Sequence, residues 1–308
     1  MDLAWAYRGS RVLFIAMRLD VFTLLSRSSM SANSVASIAG SGPDMTERLL
    51  IACCSLGLLK CNGGVYENTG LAGKYLVKGG AHFLGAWIDH ADLDLLSVWT
   101  DGIDGDVGGP AADGGDWHPR FISAMHALAM SGEAEELAKT LDLKGRRRLL
   151  DVGGGPGTYS IFLCQANPGL KAVVFDLPET IKITREKIIE YGMSGRMSTL
   201  PRSWDDTDFG TGYDVVLFSN VLHGRGSKAE MKLEKAYASM NSGGLLVVRD
   251  FILNDDKSGP VSAALFNLLL GAYSESELKE LITAAGFQNM RVLKTSAESS
   301  TVLLADKP

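Results

Sequence analysis

A glycine-rich turn, with an acid-tipped apolar run on either side, is the part of this chain best equipped for chemistry. Leu149-Leu150-Asp151-Val152 leads into Gly153, Gly155 and Gly157, and Thr158-Tyr159-Ser160-Ile161-Phe162-Leu163 then opens a helix. Glycines let the backbone turn sharply and bring main-chain N–H groups against a ligand at the helix start. A second apolar run, Ala172-Val173-Val174-Phe175, ends in Asp176, nineteen residues past Gly157. Nucleotide-binding folds place the carboxylate that grips ribose hydroxyls at that distance. Asp151, Gly153, Gly155, Gly157, Asp176 and its neighbour Leu177 therefore make a candidate nucleoside site. The dinucleotide spelling carries no acid ahead of its glycines, where it would repel a pyrophosphate. Asp151 stands there in this chain, and it suits an ammonium such as that on the aminocarboxypropyl tail of S-adenosylmethionine.

The run Asp-Val-Gly-Gly-Gly-Pro-Gly at 151–157, with Phe175-Asp176-Leu177-Pro178-Glu179, resembles the class I S-adenosylmethionine-dependent methyltransferases. Its wording is similar to that of their small-molecule O-methyltransferase branch, and the resemblance spans nearly the whole chain. It implies S-adenosylmethionine as methyl donor, S-adenosylhomocysteine as product, and a seven-stranded sheet with one reversed strand. An amino-terminal winged-helix domain would pair two copies and help wall the partner's substrate pocket. The family also places a histidine base in a His-Asp-Trp triplet, where this chain reads His223-Gly224-Arg225 after Asn220-Val221-Leu222. Two acids flank that base in the family. Asp250, in Val248-Arg249-Asp250-Phe251, matches one, whereas Ala272 stands where the other would be. Family members read adenine with an acid after the third strand; here Ser203 offers a hydrogen bond and Trp204 a stacking face, with Asp205 close by.

Methyl transfer from a sulfonium is an in-line displacement, so the protein chiefly aligns donor and acceptor. A hydroxyl acceptor must also lose a proton, which makes His223 the candidate base and Asp250 its orienting acid. Asn220, at the carboxyl end of the preceding strand, joins the cofactor candidates. His126, Met130, Arg225 and Phe266 are the candidate acceptor-binding residues. The incomplete acid set leaves open a sulfur or carbon acceptor, a different donor, or a non-catalytic regulator that senses the nucleoside. In the first two cases Arg225 would hold an anionic substrate.

The elements that must position these groups are legible. At 308 residues, 46% hydrophobic and 21% charged, the chain reads as a globular enzyme of two domains. Residues 1–100 read as a winged-helix dimerisation domain: helices, then a hairpin turning at Asn62-Gly63. Residues 101–145 read as a Gly/Asp-rich loop near the pocket mouth and a helical linker over Pro119 to Leu141. Its Glu133, Glu135 and Glu136 would be solvated. Residues 146–308 alternate strands at 148–152, 171–176, 196–200, 213–219, 243–250, 289–295 and 300–306 with helices, an α/β doubly wound sheet. Net charge is −6 and the helix that would enter a DNA groove offers only Arg48, so no nucleic-acid partner is expected. No apolar run spans a bilayer and no signal peptide is seen, so a cytoplasmic homodimer acting on a small molecule is expected. Cys53 and Cys54 are adjacent and diverge, and the acidic loop lacks calcium spacing, so no metal is expected.

Overall fold

The computed structural model describes residues 2–101, 117–293 and 300–308. The expected loop therefore lies, beyond Asp101, outside the described residues. The chain divides into two compact units, the second beginning at Gly132 among the described residues.

In the first unit, Tyr7–Arg18, Ala32–Ala39 and Pro43–Ser55 are the main helices of the amino-terminal part. Ser31 caps the second by accepting a hydrogen bond from the Ser34 N–H, and Gly40 closes it in the left-handed region at φ 66°. Pro43 occupies the first turn of the third, where its missing N–H costs nothing. Strands β1 (Met30–Ser31), β2 (Leu59–Asn62) and β3 (Val65–Asn68) form a small antiparallel sheet in the order β1-β3-β2. Asn62 pairs with Val65, so the two turn residues are Gly63 and Gly64, one position later than the sequence suggested. Both have positive φ, which a tight hairpin turn needs and glycine supplies without strain. Phe14, Phe22, Leu50, Cys53 and Tyr66 close a core between helices and wing.

The second unit is built on a seven-stranded sheet of order β6-β5-β4-β7-β8-β10-β9. Its strands are β4 (Arg148–Val152), β5 (Lys171–Asp176), β6 (Met197–Pro201), β7 (Tyr213–Ser219), β8 (Met240–Asp250), β9 (Gln288–Leu293) and β10 (Thr301–Asp306). Strands β4 to β8 pair in parallel, and β10 alone runs reversed, antiparallel to both β8 and β9. Leu150, Phe175, Phe218 and Val248 pack one face, Leu149, Val174, Leu217 and Val247 the other. Burial on both faces explains why these strands read as continuous apolar runs. The chain leaves β4 toward β5 and β6, then returns to place β7 on β4's other side. The reversal opens a crevice at the carboxyl ends of β4 and β7, where ligands bind in such sheets.

The described part of the linker contains two helices. Trp117–Leu128 and Ala134–Thr140 are separated at Gly132, whose φ of 132° no helix accommodates. Glu133 also departs from its expected solvated position: it is largely buried and ion-paired with Arg249. No helix among the described residues is long and apolar enough to cross a membrane.

Candidate active site

The glycine turn takes its shape from contacts that exclude side chains. Gly153 and Gly157 have φ of 67° and 75°, a region L-residues rarely adopt. A Cβ on Gly153 would lie 2.9 Å from Val221 and 3.4 Å from Trp204, so the bare backbone keeps open the space between them. One on Gly154 would come within 2.6 Å of the Asp151 carboxyl carbon. Asp176 fastens the turn from the side: its carboxylate accepts the Gly155 N–H at 2.8 Å and the Leu177 N–H at 2.7 Å. Leu177 then opens the helix Pro178–Glu190 with an exposed side chain. Turn, acid and exposed apolar neighbour together fit a nucleoside.

Asp151 is not at the surface of this cradle. It is 1% exposed, lies beneath Gly154, and accepts a 2.6 Å hydrogen bond from Ser160. Burial pushes its carboxyl up to about 7; the Ser160 bond opposes the rise and the nearby charge of Asp176 adds to it. Between about pH 4 and 7 the unfolded chain has released this proton while the folded chain still holds it. Stability therefore falls as pH rises through that window and levels off above it. The span from the ordinary 3.8 to about 7 corresponds to a fall of about 4 kcal/mol. Asp151→Asn is expected to flatten that slope, which urea unfolding at several pH values would show.

His223 follows β7 and is 22% exposed in its side chain. Its Nδ1 stands 3.5 Å from Asp250 Oδ1 and makes no hydrogen bond among the described residues. The same carboxylate accepts the Leu222 N–H at 3.0 Å and the Phe251 N–H at 2.9 Å. Asp250 thus both faces the histidine and braces the segment that carries it. The imidazole meets the Phe266 ring edge-on at 5.1 Å, and Phe266 stacks on Phe251 at 3.9 Å.

Sequence reasoning overlooked Lys232. It is buried on the helix Ala229–Ser239, donates to the Val221 carbonyl at 2.9 Å and sits 3.9 Å over the Trp204 ring. Burial pulls its ammonium down to about 8 against the pull of Asp205 and Asp250. One face of Trp204 is therefore already taken. The available signal was a lone cation on the stripe of Ala229, Leu233 and Ala236. Ser203 is engaged locally, accepting the Asp205 N–H, and Asp205 pairs with Lys228. Asn220 adopts a left-handed backbone at φ 55° and lies 3.4 Å from Arg249 through its amide oxygen. Arg249, a single cation in the apolar run of β8, was also overlooked.

His126 lies in the helix Trp117–Leu128, and the carbonyl of Met130 meets His82 Nδ1 at 2.9 Å, both in the first unit. Arg225 opens the short turn Arg225–Ser227; its side chain is outside the described part. Gly224, at φ 68°, approaches Gly271 backbone to backbone: a Cβ there would meet the Leu270 carbonyl oxygen at 2.6 Å and the Gly271 Cα at 3.0 Å.

A doubly wound sheet with a glycine turn at its topological reversal fits a nucleoside-binding enzyme. Comparison with known proteins narrows the class. Residues 1–78 match the O-methyltransferase dimerisation domain and residues 118–288 the O-methyltransferase domain. The 3-hydroxy-5-methyl-1-naphthoate 3-O-methyltransferase of Streptomyces sahachiroi is 30% identical, over 99% of this chain and 93% of that protein. The L-tyrosine C(3)-methyltransferase of Streptomyces lavendulae is 36% identical over 50% of this chain and 44% of its own length. Human N-acetylserotonin methyltransferase, solved in complex with S-adenosylmethionine, shares the fold with a TM-score of 0.87 at 24% identity, covering 99% and 96% of the two chains. The chain belongs to the S-adenosylmethionine-dependent O-methyltransferase family.

Proposed function

We propose that this enzyme methylates a hydroxyl of a small, partly apolar acceptor, with His223 as general base. The observation that carries the reading is the His223–Asp250 pair at the carboxyl ends of β7 and β8, beside the crevice of the glycine turn. S-adenosylmethionine, when bound, supplies an electrophilic methyl group. Gly153, Gly155 and Gly157 cradle the cofactor, Asp176 takes its ribose, and Leu177, Ser203, Asn220 and the free face of Trp204 complete its surroundings. With Nδ1 turned to Asp250, Nε2 of His223 is the nitrogen left to accept the hydroxyl proton. The Asp250 carboxylate stabilises the imidazolium that results. Phe266 offers an aromatic wall beside the base, and His126, Met130 and Arg225 are carried as further acceptor-binding residues.

Residues 1–100 act as a dimerisation domain joining two copies in the cytoplasm, residues 101–145 as connector, and 146–308 as the catalytic domain. Leu3, Trp5, Tyr7, Ile38, Met45 and Ile51 of this domain are exposed, and the match of residues 1–78 to the O-methyltransferase dimerisation domain supports self-association. Carbon methylation is the second reading, favoured by Ala272 in place of an acid and by the carbon-methylating activity for which the Streptomyces lavendulae relative is named. Methyl-labelled S-adenosylmethionine offered with phenols, thiols and activated aromatic carbons separates the two. Label on oxygen is expected. Label on carbon or sulfur alone would overturn the hydroxyl assignment.

A further inference from the structure

Arg249 is a cation at the end of a buried strand, and neither the family pattern nor the base chemistry accounts for it. By strand register Phe218 sits opposite Val152 and Ser219 opposite Arg249. Gly153, Ser219 and Arg249 therefore line up across the carboxyl edge of β4, β7 and β8. The guanidinium is held from behind: Nη2 donates to Glu133 Oε2 at 2.6 Å, and the same oxygen accepts the Tyr159 hydroxyl at 3.0 Å. The Tyr159 ring lies 5.0 Å beneath the guanidinium carbon. Tyr159 itself is the second residue of Thr158–Ala166, the helix that the glycine turn opens. Nη1 lies at the end of β7, 3.5 Å from Ser219 Oγ and 3.4 Å from Asn220 Oδ1.

We infer that Arg249 and Glu133 form a binding site for the zwitterionic α-amino-acid end of the cofactor, Arg249 taking the carboxylate and Glu133 facing the ammonium. The inference rests on the cofactor reading above. Three observations support it. Asp176 fixes the ribose end at β5, and Nη1 of Arg249 reaches β7, two strand spacings or about 10 Å away. That span suits a ribose joined through a thioether to a short amino-acid chain. The carboxylate first assigned to the ammonium, Asp151, is sealed beneath Gly154 with Ser160. Glu133, 2.6 Å from the guanidinium, is the acid beside Arg249 in its stead. A guanidinium braced by one carboxylate and a ring keeps its planar fork oriented for a second, which a lysine cannot reproduce.

The test is calorimetric binding of two non-reacting nucleosides, S-adenosylhomocysteine and 5′-methylthioadenosine, which lacks the amino-acid end. Arg249→Met is expected to weaken S-adenosylhomocysteine by roughly 10- to 100-fold, the size of a charge-assisted pair, and to leave 5′-methylthioadenosine unchanged. Because Arg249→Met strands Glu133, the paired variant Arg249→Met with Glu133→Gln is measured beside it and is expected to show the same selective loss. Equal weakening of both nucleosides in the paired variant, or no loss for S-adenosylhomocysteine, would overturn the inference while leaving the cofactor reading intact. If the wild-type protein bound neither nucleoside, the cofactor reading itself would fall and take this inference with it.

Discussion

His223→Ala is expected to lower the rate of methyl transfer to a hydroxyl acceptor by roughly 10²–10⁴-fold, the range a positioned general base supplies. Binding of S-adenosylhomocysteine should stay within about two-fold, because nothing in the nucleoside cradle depends on the imidazole. The split between rate and affinity is what distinguishes a base from a packing residue. Asp250 faces His223 at 3.5 Å while taking the Leu222 and Phe251 N–H groups, so the loop that positions the base survives the loss of the ring. Removing the ring also leaves a gap against Phe266, which meets it edge-on at 5.1 Å. A single solvent-accessible gap of that kind costs stability of order 1 kcal/mol, too little to unfold the chain and be mistaken for lost chemistry. The check is a single-turnover assay with labelled S-adenosylmethionine, run beside nucleoside calorimetry on the same preparation. A rate within a few-fold of wild type would make His223 a packing partner of Phe266. Acceptor activation would then have to come from elsewhere.

The central strands of the sheet were legible in the sequence because they are buried on both faces and read as mainly apolar runs. Leu149 to Val152, Ala172 to Asp176 and Val215 to Ser219 need no tertiary information to be recognised. What escaped reading depends on which way a side chain turns. Glu133 sits among acids on a helix that looks solvated, yet the break at Gly132 turns it inward to Arg249. Asp151 has the spelling of a ligand-facing acid, but the tight approach of Gly154 seals it off. Lys232 occupies a core position on its helix because Val221 offers a carbonyl and Trp204 a ring face, and neither partner is near it in sequence. Buried cations are in general the residues periodicity places worst, since pattern assigns charge to the surface and only a distant partner explains the exception.

Restoring the family's aspartate beside the base is expected to damage this enzyme. In Gly224→Asp the new Cβ would stand 2.6 Å from the Leu270 carbonyl oxygen and 3.0 Å from the Gly271 Cα, both backbone atoms that cannot rotate aside. Gly224 also holds φ at 68° and ψ at 163°, a region essentially reserved to glycine where a side chain costs about 1–3 kcal/mol, and forced overpacking adds about 1–3 kcal/mol. Together these predict a loss of roughly 2–6 kcal/mol in denaturant unfolding, with the His223 segment displaced and transfer reduced along with stability. Gly226→Ala, two residues on, is the control, because a Cβ there meets nothing within 4 Å; its change should stay within about 0.5 kcal/mol. The physical point concerns the two places where the chain departs from the pattern it resembles. Glycine replaces aspartate at 224 and alanine replaces an acid at 272, and the first of these packs directly on Gly271, next to the second. They are neighbours in space, so one backbone approach connects both departures. A Gly224→Asp variant as stable as wild type would mean that approach is not held in solution, and the two departures would then be independent.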